Sequence, residues 1–290
     1  MDDILDSIGE AIHDFFVDAC GGLFSGIFDD ANAATGEIAN KVSLTPSAWN
    51  PGVFATVQDI SNNVVIPIAG LIITYVLVYE LISMIVEKNN MHDIDTFMFF
   101  KYMFKSCTAV MLLSHTFEIT MAIFDVGHWV VQQAASSISN DTNVDVTDIF
   151  NNFRSTIDSM DTGQIILLML EAGVVGIAVK AIALLVNVVL INRMIEIYMY
   201  CSAAPIPFAT MTNREWGNIG TNYIRSLLSL AFQGLFIMVI VGIYSELVQN
   251  ISTAATDLHS LLMQIGMYSL VLCLTLFKTS SISKSIFNAR

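Results

Sequence analysis

The chain has 290 residues, of which 54% are hydrophobic and only 13% charged, with a formal net charge of −14. A soluble domain carries about twice that share of charge, so the composition excludes a soluble globular protein, in line with a mean hydropathy of +0.65. The acid excess excludes a binder of nucleic acid backbone, which needs clustered basic residues, and a polybasic anchor to anionic lipid.

Residues 1–63 hold ten acidic residues and one base, Lys41. Within them residues 1–19 read as an amphipathic helix. Ile4, Leu5, Ile8, Ile12, Phe15, Phe16 and Ala19 recur at helical spacing, and Asp2, Asp3, Asp6, Glu10, Asp14 and Asp18 fall on the other side. This helix is too polar to span, and its acidic face is unusual for lipid binding, where Lys and Arg are preferred. Docking on another protein, or packing on this one, is expected, and Asp6, Glu10 and Asp14 are the candidate contacts for an outer-face partner. Met1-Asp2-Asp3 lacks the basic start of a signal peptide, so none is expected. Gly21, Gly22 and Gly26 are expected to loosen the next stretch, and Thr45-Pro46 to Asn50-Pro51 marks turns.

Crossing a hydrocarbon core of ~30 Å takes about 20 helical residues. Five runs qualify: Val64–Val86, Ser106–His128, Ile165–Ile191, Ser226–Ser245 and Leu261–Phe277. A sixth apolar stretch, Met194–Met211, contains Ala203-Ala204-Pro205-Ile206-Pro207-Phe208-Ala209, and two prolines so close break a helix. It reads as a re-entrant or interfacial segment, with a kinked sixth span as the alternative. Basic residues favour the first reading. Residues 87–105 hold Lys88, Lys101 and Lys105, residues 192–225 hold Arg193, Arg214 and Arg225, and the tail holds Lys278, Lys284 and Arg290. Residues 129–164 hold only Arg154 and residues 246–260 hold none. Five spans, with the N-terminus outside and the C-terminus in the cytoplasm, put every base-rich loop inside. The fold class is thus all-α: a polytopic membrane helical bundle of about five spans, a Pro-broken segment and an N-terminal amphipathic helix. The expected regions are an acidic extracytoplasmic 1–63, a transmembrane 64–280 and a short cytoplasmic tail, 281–290.

Motifs for soluble chemistry are absent from the sequence: no nucleotide loop, no G-x-S-x-G and no H-E-x-x-H. Asp141-Thr142-Asn143-Val144-Asp145 begins like a calcium loop, but Val146 stands where the turn glycine belongs and Asn152 where the bidentate Glu belongs. The four cysteines, Cys20, Cys107, Cys201 and Cys273, lie far apart and read as small apolar residues. No cofactor, metal or catalytic residue is expected.

Charge inside a span is expensive, so the polar residues there carry information. His115, Glu118 and Asp125 of the second span lie three and seven residues apart, along one side of a helix. Glu171 and Lys180 of the third are nine residues apart, about 900° around the axis, and point to opposite faces. Together the five form a polar seam that either lines a pathway or locks the bundle by ion pairs. Ala172 and Gly176 make a small-xxx-small pair that permits close helix approach, within one subunit or between copies.

The stretch from Ile195 to Ser245 carries a resemblance. It reads Ile195-Glu196-Ile197-Tyr198-Met199-Tyr200, then Ala203 to Ala209 as above, Arg214-Glu215-Trp216-Gly217, Asn222-Tyr223-Ile224-Arg225, and Leu230-Ala231-Phe232-Gln233-Gly234-Leu235. This resembles the TrbL-type inner-membrane component of conjugative type IV secretion systems, in the version found on mobile elements of Gram-positive bacteria. The resemblance covers about residues 64–280 and departs from longer members in lacking a large soluble C-terminal domain. It implies a structural channel or platform subunit of the bacterial cytoplasmic membrane, without catalytic residues, forming homo-oligomers. Implied partners are cytoplasmic ATPases, extracytoplasmic stalk or wall-spanning proteins and, transiently, single-stranded DNA with its relaxase. Pro205, Pro207, Arg214, Trp216 and Arg225 are the expected cytoplasmic contacts. The competing expectation is a small-solute transporter or ion channel using Glu118, Lys180 and Glu171.

Overall fold

The computed structural model describes residues 2–87, 96–138, 154, 156–254 and 258–289. Among these every regular element is a helix: α1 (Asp2–Val42), α2 (Pro46–Trp49), α3 (Pro51–Ile60), a π-helical turn (Ser61–Val65), α4 (Ile66–Glu87), α5 (Thr96–Ser114), α6 (Thr116–Ile138), α7 (Thr162–Ala203), α8 (Pro205–Thr210), α9 (Gly217–Ala254) and α10 (Leu258–Ile286). Six stretches are helices long and apolar enough to cross a membrane: Ser7–Val42, Pro51–Val86, Thr96–Ser114, Thr162–Ala203, Gly217–Ile251 and Leu258–Ile286. The chain is a multi-pass helical membrane protein. Large apolar side chains such as Leu71, Phe104, Val174, Ile177 and Leu184 stand exposed on these helices. In water such faces would be a liability, and in lipid they are the solvated surface.

The chain gathers into two compact units, each drawn from three separate stretches. The first comprises Met1–Val42, Gln132–Leu190 and Phe236–Thr279. Here α1 is longer than the amphipathic segment expected from the sequence, and it runs without a break past Gly22 and Gly26. Each glycine costs a helix about 1 kcal/mol. Burial outweighs that cost: Val17, Cys20, Phe24, Ile27, Phe28, Ala31, Ile38 and Val42 repeat at helical spacing and are all buried. The helix lies along α7. Ile27 comes within 3.3 Å of where a Cβ on Gly176 would sit, Lys180 pairs with Asp30, and Lys41 donates to Asn187 Oδ1 at 2.6 Å. The partners rise together along both chains, so α1 and α7 are parallel. The Ala172–Gly176 pair therefore makes a helix contact within the subunit. His259 with Glu171 and Gly266 beside Val175 give α10 the same direction as α7 in this unit. The Tyr244 hydroxyl bonds the Ser269 hydroxyl at 2.9 Å and holds α9 to α10.

The second unit comprises Ser43–Val131, Ile191–Leu235 and Ser280–Arg290. Its larger core gathers Phe117, Phe124, Met194, Ile197, Cys201, Ala204, Phe208, Tyr223, Leu227, Leu230 and Ala231. A smaller one joins α4, α5 and α8 through Ala69, Ile73, Ala109, Leu113 and Ala209. The second expected span is divided at His115 into α5 and α6. The hydrogen-bond ladder continues through the division, from the His115 N–H to the Met111 carbonyl at 3.2 Å and from the Ile119 N–H to the His115 carbonyl at 2.9 Å. Thr116 Oγ1 donates to the carbonyls of Leu112 and Leu113 at 2.9 Å. Such back-bonding competes with the ladder and marks a bend. Between α6 and α9 the helices touch backbone to backbone: a Cβ on Gly127 would sit 2.8 Å from the Ala231 carbonyl oxygen.

The Pro-broken stretch resolves into two parts. Met194 to Ala203 is the end of α7, a helix of 42 residues. At ~1.5 Å per residue that is about 63 Å, twice the ~30 Å of a bilayer core. Pro205 then opens α8, which has six residues. At about 9 Å, α8 is too short to cross, so the stretch is not a separate sixth span.

Candidate functional site

The sequence from Ala204 to Gly220 builds a clasp in the second unit. Pro205 and Pro207 occupy the first turn of α8, where a missing N–H costs nothing. Ala209 of that helix is fully buried in the α4–α5 core. Past α8, Asn213 organises the turn. It is 4% exposed, and its side-chain oxygen accepts from the N–H groups of Glu215 at 2.7 Å and Trp216 at 2.9 Å. Its carbonyl accepts from the Gly217 N–H at 2.9 Å. These bonds satisfy donors left over at the start of α9. Gly220 then lets α9 leave close to α8: a Cβ there would sit 2.7 Å from the Pro207 carbonyl oxygen.

This turn sets Glu215 and Trp216 against α4. The Trp216 ring stacks on Tyr75 at 5.8 Å and 15° and on Tyr79 at 6.2 Å and 8°. The Tyr79 hydroxyl donates to the Glu215 carboxylate, 3.1 Å from Oε1 and 3.2 Å from Oε2. Opposite, Lys105 of α5 pairs with Glu80 of α4 at 2.5 Å, and the Tyr102 hydroxyl donates to the Leu77 carbonyl at 3.1 Å.

A cleft of about 590 Å³ lies among these groups, lined by Tyr79, Glu80, Ser83, Met84, Phe97, Met98, Lys101, Lys105 and Asn213 to Glu215. Its ionic lining is three cations (Lys101, Lys105, Arg214) against two carboxylates (Glu80, Glu215), a balance of one positive charge. That sign opposes the chain as a whole, at −14. The Asn213 side-chain nitrogen is buried without a hydrogen-bond partner among the described residues.

Of the five expected contacts, Arg214 lines this cleft and Trp216, 37% exposed, forms its aromatic edge. Pro205 is buried within α8, and Pro207 and Arg225 are half-buried. Sequence reasoning took Lys101 and Lys105 only as charges flanking a span, and assigned no role to Glu80, Tyr79 or Asn213. The one available signal was Tyr75 and Tyr79, spaced one turn apart on a helix facing lipid.

The expected polar seam is spread over both units. In the second, His115 Nδ1 meets Glu118 Oε2 at 2.8 Å, with both side chains exposed, and Asp125 is exposed on α6. In the first, Glu171 pairs with His259 and Lys180 with Asp30 at 3.6 Å. Glu10 and Asp14 are exposed on α1. The side chain of Asp6 and the acidic 141–145 loop lie outside the described residues. Among the described residues no group of three His, Cys, Asp or Glu side chains is placed to hold a metal ion.

Residues 31–205 match the family described as TrbL/VirB6 plasmid conjugal transfer like protein. No curated protein and no solved structure matches the chain.

Proposed function

Because the chain belongs to the TrbL/VirB6 plasmid conjugal transfer-like family, we propose that it is a structural channel or platform subunit of a conjugative type IV secretion machine. It moves DNA and protein across the cytoplasmic membrane and draws energy from partner ATPases. The observation that carries this reading is the match over residues 31–205, which takes in the C-terminal part of α1, the apolar α4 and α7, and Pro205 at the start of the clasp. The machine is built from several copies.

Helix direction supports five crossings. Between α1 and α7 the chain contains the α3–α4 and α5–α6 runs. Successive crossings alternate in direction, so crossing by all four would leave α1 and α7 antiparallel, and they are parallel. The acidic α1 is the run least suited to lipid. We place its acidic first turns outside, with Asp6, Glu10 and Asp14 facing a stalk or wall-spanning protein, while its later part lies beside the lipid-facing stretch of α7. The clasp, with Arg214 and Trp216, lies with Lys101 and Lys105 on the cytoplasmic side, within reach of the ATPases.

Deleting the coding sequence from a mobile element should abolish conjugative transfer, with recovery when the chain is supplied in trans. Transfer at the parental frequency in the deletion strain overturns the reading. Reversing the charge of Asp6, Glu10 and Asp14 together should lower transfer while the amount of protein in the membrane holds. Unchanged transfer removes the outer-partner role of α1.

A further inference from the structure

We infer that the cleft between α4, α5 and the Asn213–Glu215 turn binds the phosphate of an anionic phospholipid headgroup. The inference rests on the chain's being a membrane protein and not on its place in a transfer machine.

Three observations lead there. The first is charge. Glu80 is paired with Lys105 at 2.5 Å and Glu215 accepts from Tyr79, so both carboxylates of the cleft are engaged. Lys101 has no ion-pair or hydrogen-bond partner among the described residues and faces the same space. Arg214 adds a second cation.

The second is the buried amide of Asn213. Its oxygen is fixed by the two N–H groups it accepts, and this forces the –NH₂ to the other side. That nitrogen is buried and has no partner among the described residues, in a residue that lines the cleft. A buried donor without an acceptor costs about 1–3 kcal/mol. A phosphate oxygen in the cleft supplies the missing acceptor. Ammonium, guanidinium and amide together form a phosphate-binding set.

The third is the setting. Phe97, Lys101 and Phe104 recur at helical spacing on α5, and the two phenylalanines are 73% and 75% exposed. On α4, Val78 and Ile82 are exposed as well. A cationic notch among apolar side chains that face lipid receives a phosphate from a molecule that also carries acyl chains. A freely diffusing anion would gain nothing from that rim.

The test uses the full chain purified in a neutral detergent. Thermal unfolding is followed with added phosphatidylglycerol, phosphatidylcholine or inorganic phosphate. Phosphatidylglycerol should raise the midpoint and phosphatidylcholine should not. Lys101→Gln should weaken phosphatidylglycerol about tenfold, the loss of one charged hydrogen bond, and Lys101→Arg should restore it. Asn213→Asp keeps the capping oxygen but replaces the donor, and should weaken binding too, so the test does not depend on one variant. Equal effects of the two lipids, or unchanged affinity in both Lys101→Gln and Asn213→Asp, overturn the inference. A shift with inorganic phosphate that phosphatidylglycerol does not exceed overturns the lipid source and assigns the cleft to free phosphate.

Discussion

Asn213 carries out two tasks with one amide. Its oxygen caps the turn that aims Trp216 at Tyr75 and Tyr79, and its nitrogen is buried without a partner among the described residues. Asn213→Ala removes both functions and should destabilise the protein by about 1–2 kcal/mol, the usual effect of losing such a cap. Asn213→Ser retains a capping oxygen and should recover most of that loss, as read from thermal midpoints in detergent. Gly220 is constrained by space. Gly220→Ala would drive a methyl group into the Pro207 carbonyl and the Met211 side chain, at about 1–3 kcal/mol for overpacking. The expected readout is a lower yield of folded protein and a lower midpoint. Wild-type stability in this variant would mean that α9 can shift to make room.

Helices in this chain obey two different rules, and only one can be read locally. Lipid demands long unbroken apolar runs, so α4, α7, α9 and α10 stand out in the sequence. The interruption at Pro205 is legible for the same reason: the ring chemistry is local. By contrast, the course of α1 through Gly22 and Gly26 is decided by a partner helix about 150 positions further on, through contacts such as Ile27 with Gly176 and Lys180 with Asp30. The cleft was hidden for the same reason. Glu80 and Lys105 are 25 residues apart, and Tyr79 and Glu215 are 136 apart. Arg214 and Trp216 were legible through family resemblance, but Asn213 was not, because its role lies in hydrogen-bond geometry. The parallel course of α1 and α7 yields a prediction at this scale. In a background lacking the four native cysteines, Glu10→Cys should react with an impermeant thiol reagent added outside whole cells, and the reaction of Asn40→Cys reports whether the far end of α1 lies on the same side. Protection of one position and labelling of the other would show that α1 crosses.

At the scale of the whole molecule, charge is distributed by region. Ten of the 26 acids fall before Asn62, and nine of the 12 basic residues fall in segments on one predicted side of the membrane. This asymmetry orients a multi-pass protein during insertion. The acidic helix and the basic clasp each suit a partner of opposite sign. The family match spans elements of both compact units. An impermeant label at Trp216→Cys should fail from outside and react in inverted vesicles, in the same cysteine-free background. Labelling from outside would reverse the orientation of the clasp.

The contact of Gly127 with Ala231 has an electrical consequence. Where α6 and α9 meet backbone to backbone, no layer of side chains lies between them to part, and no file of water fits to conduct protons. Such a seam is expected to insulate, and the absence of a Cβ on Gly127 is what lets the two helices close on each other. Gly127→Leu forces the two helices apart. Liposomes holding this variant should lose a proton gradient faster than liposomes holding the parent chain, as reported by an internal pH dye. A gradient that decays at the parental rate would show that the barrier lies elsewhere.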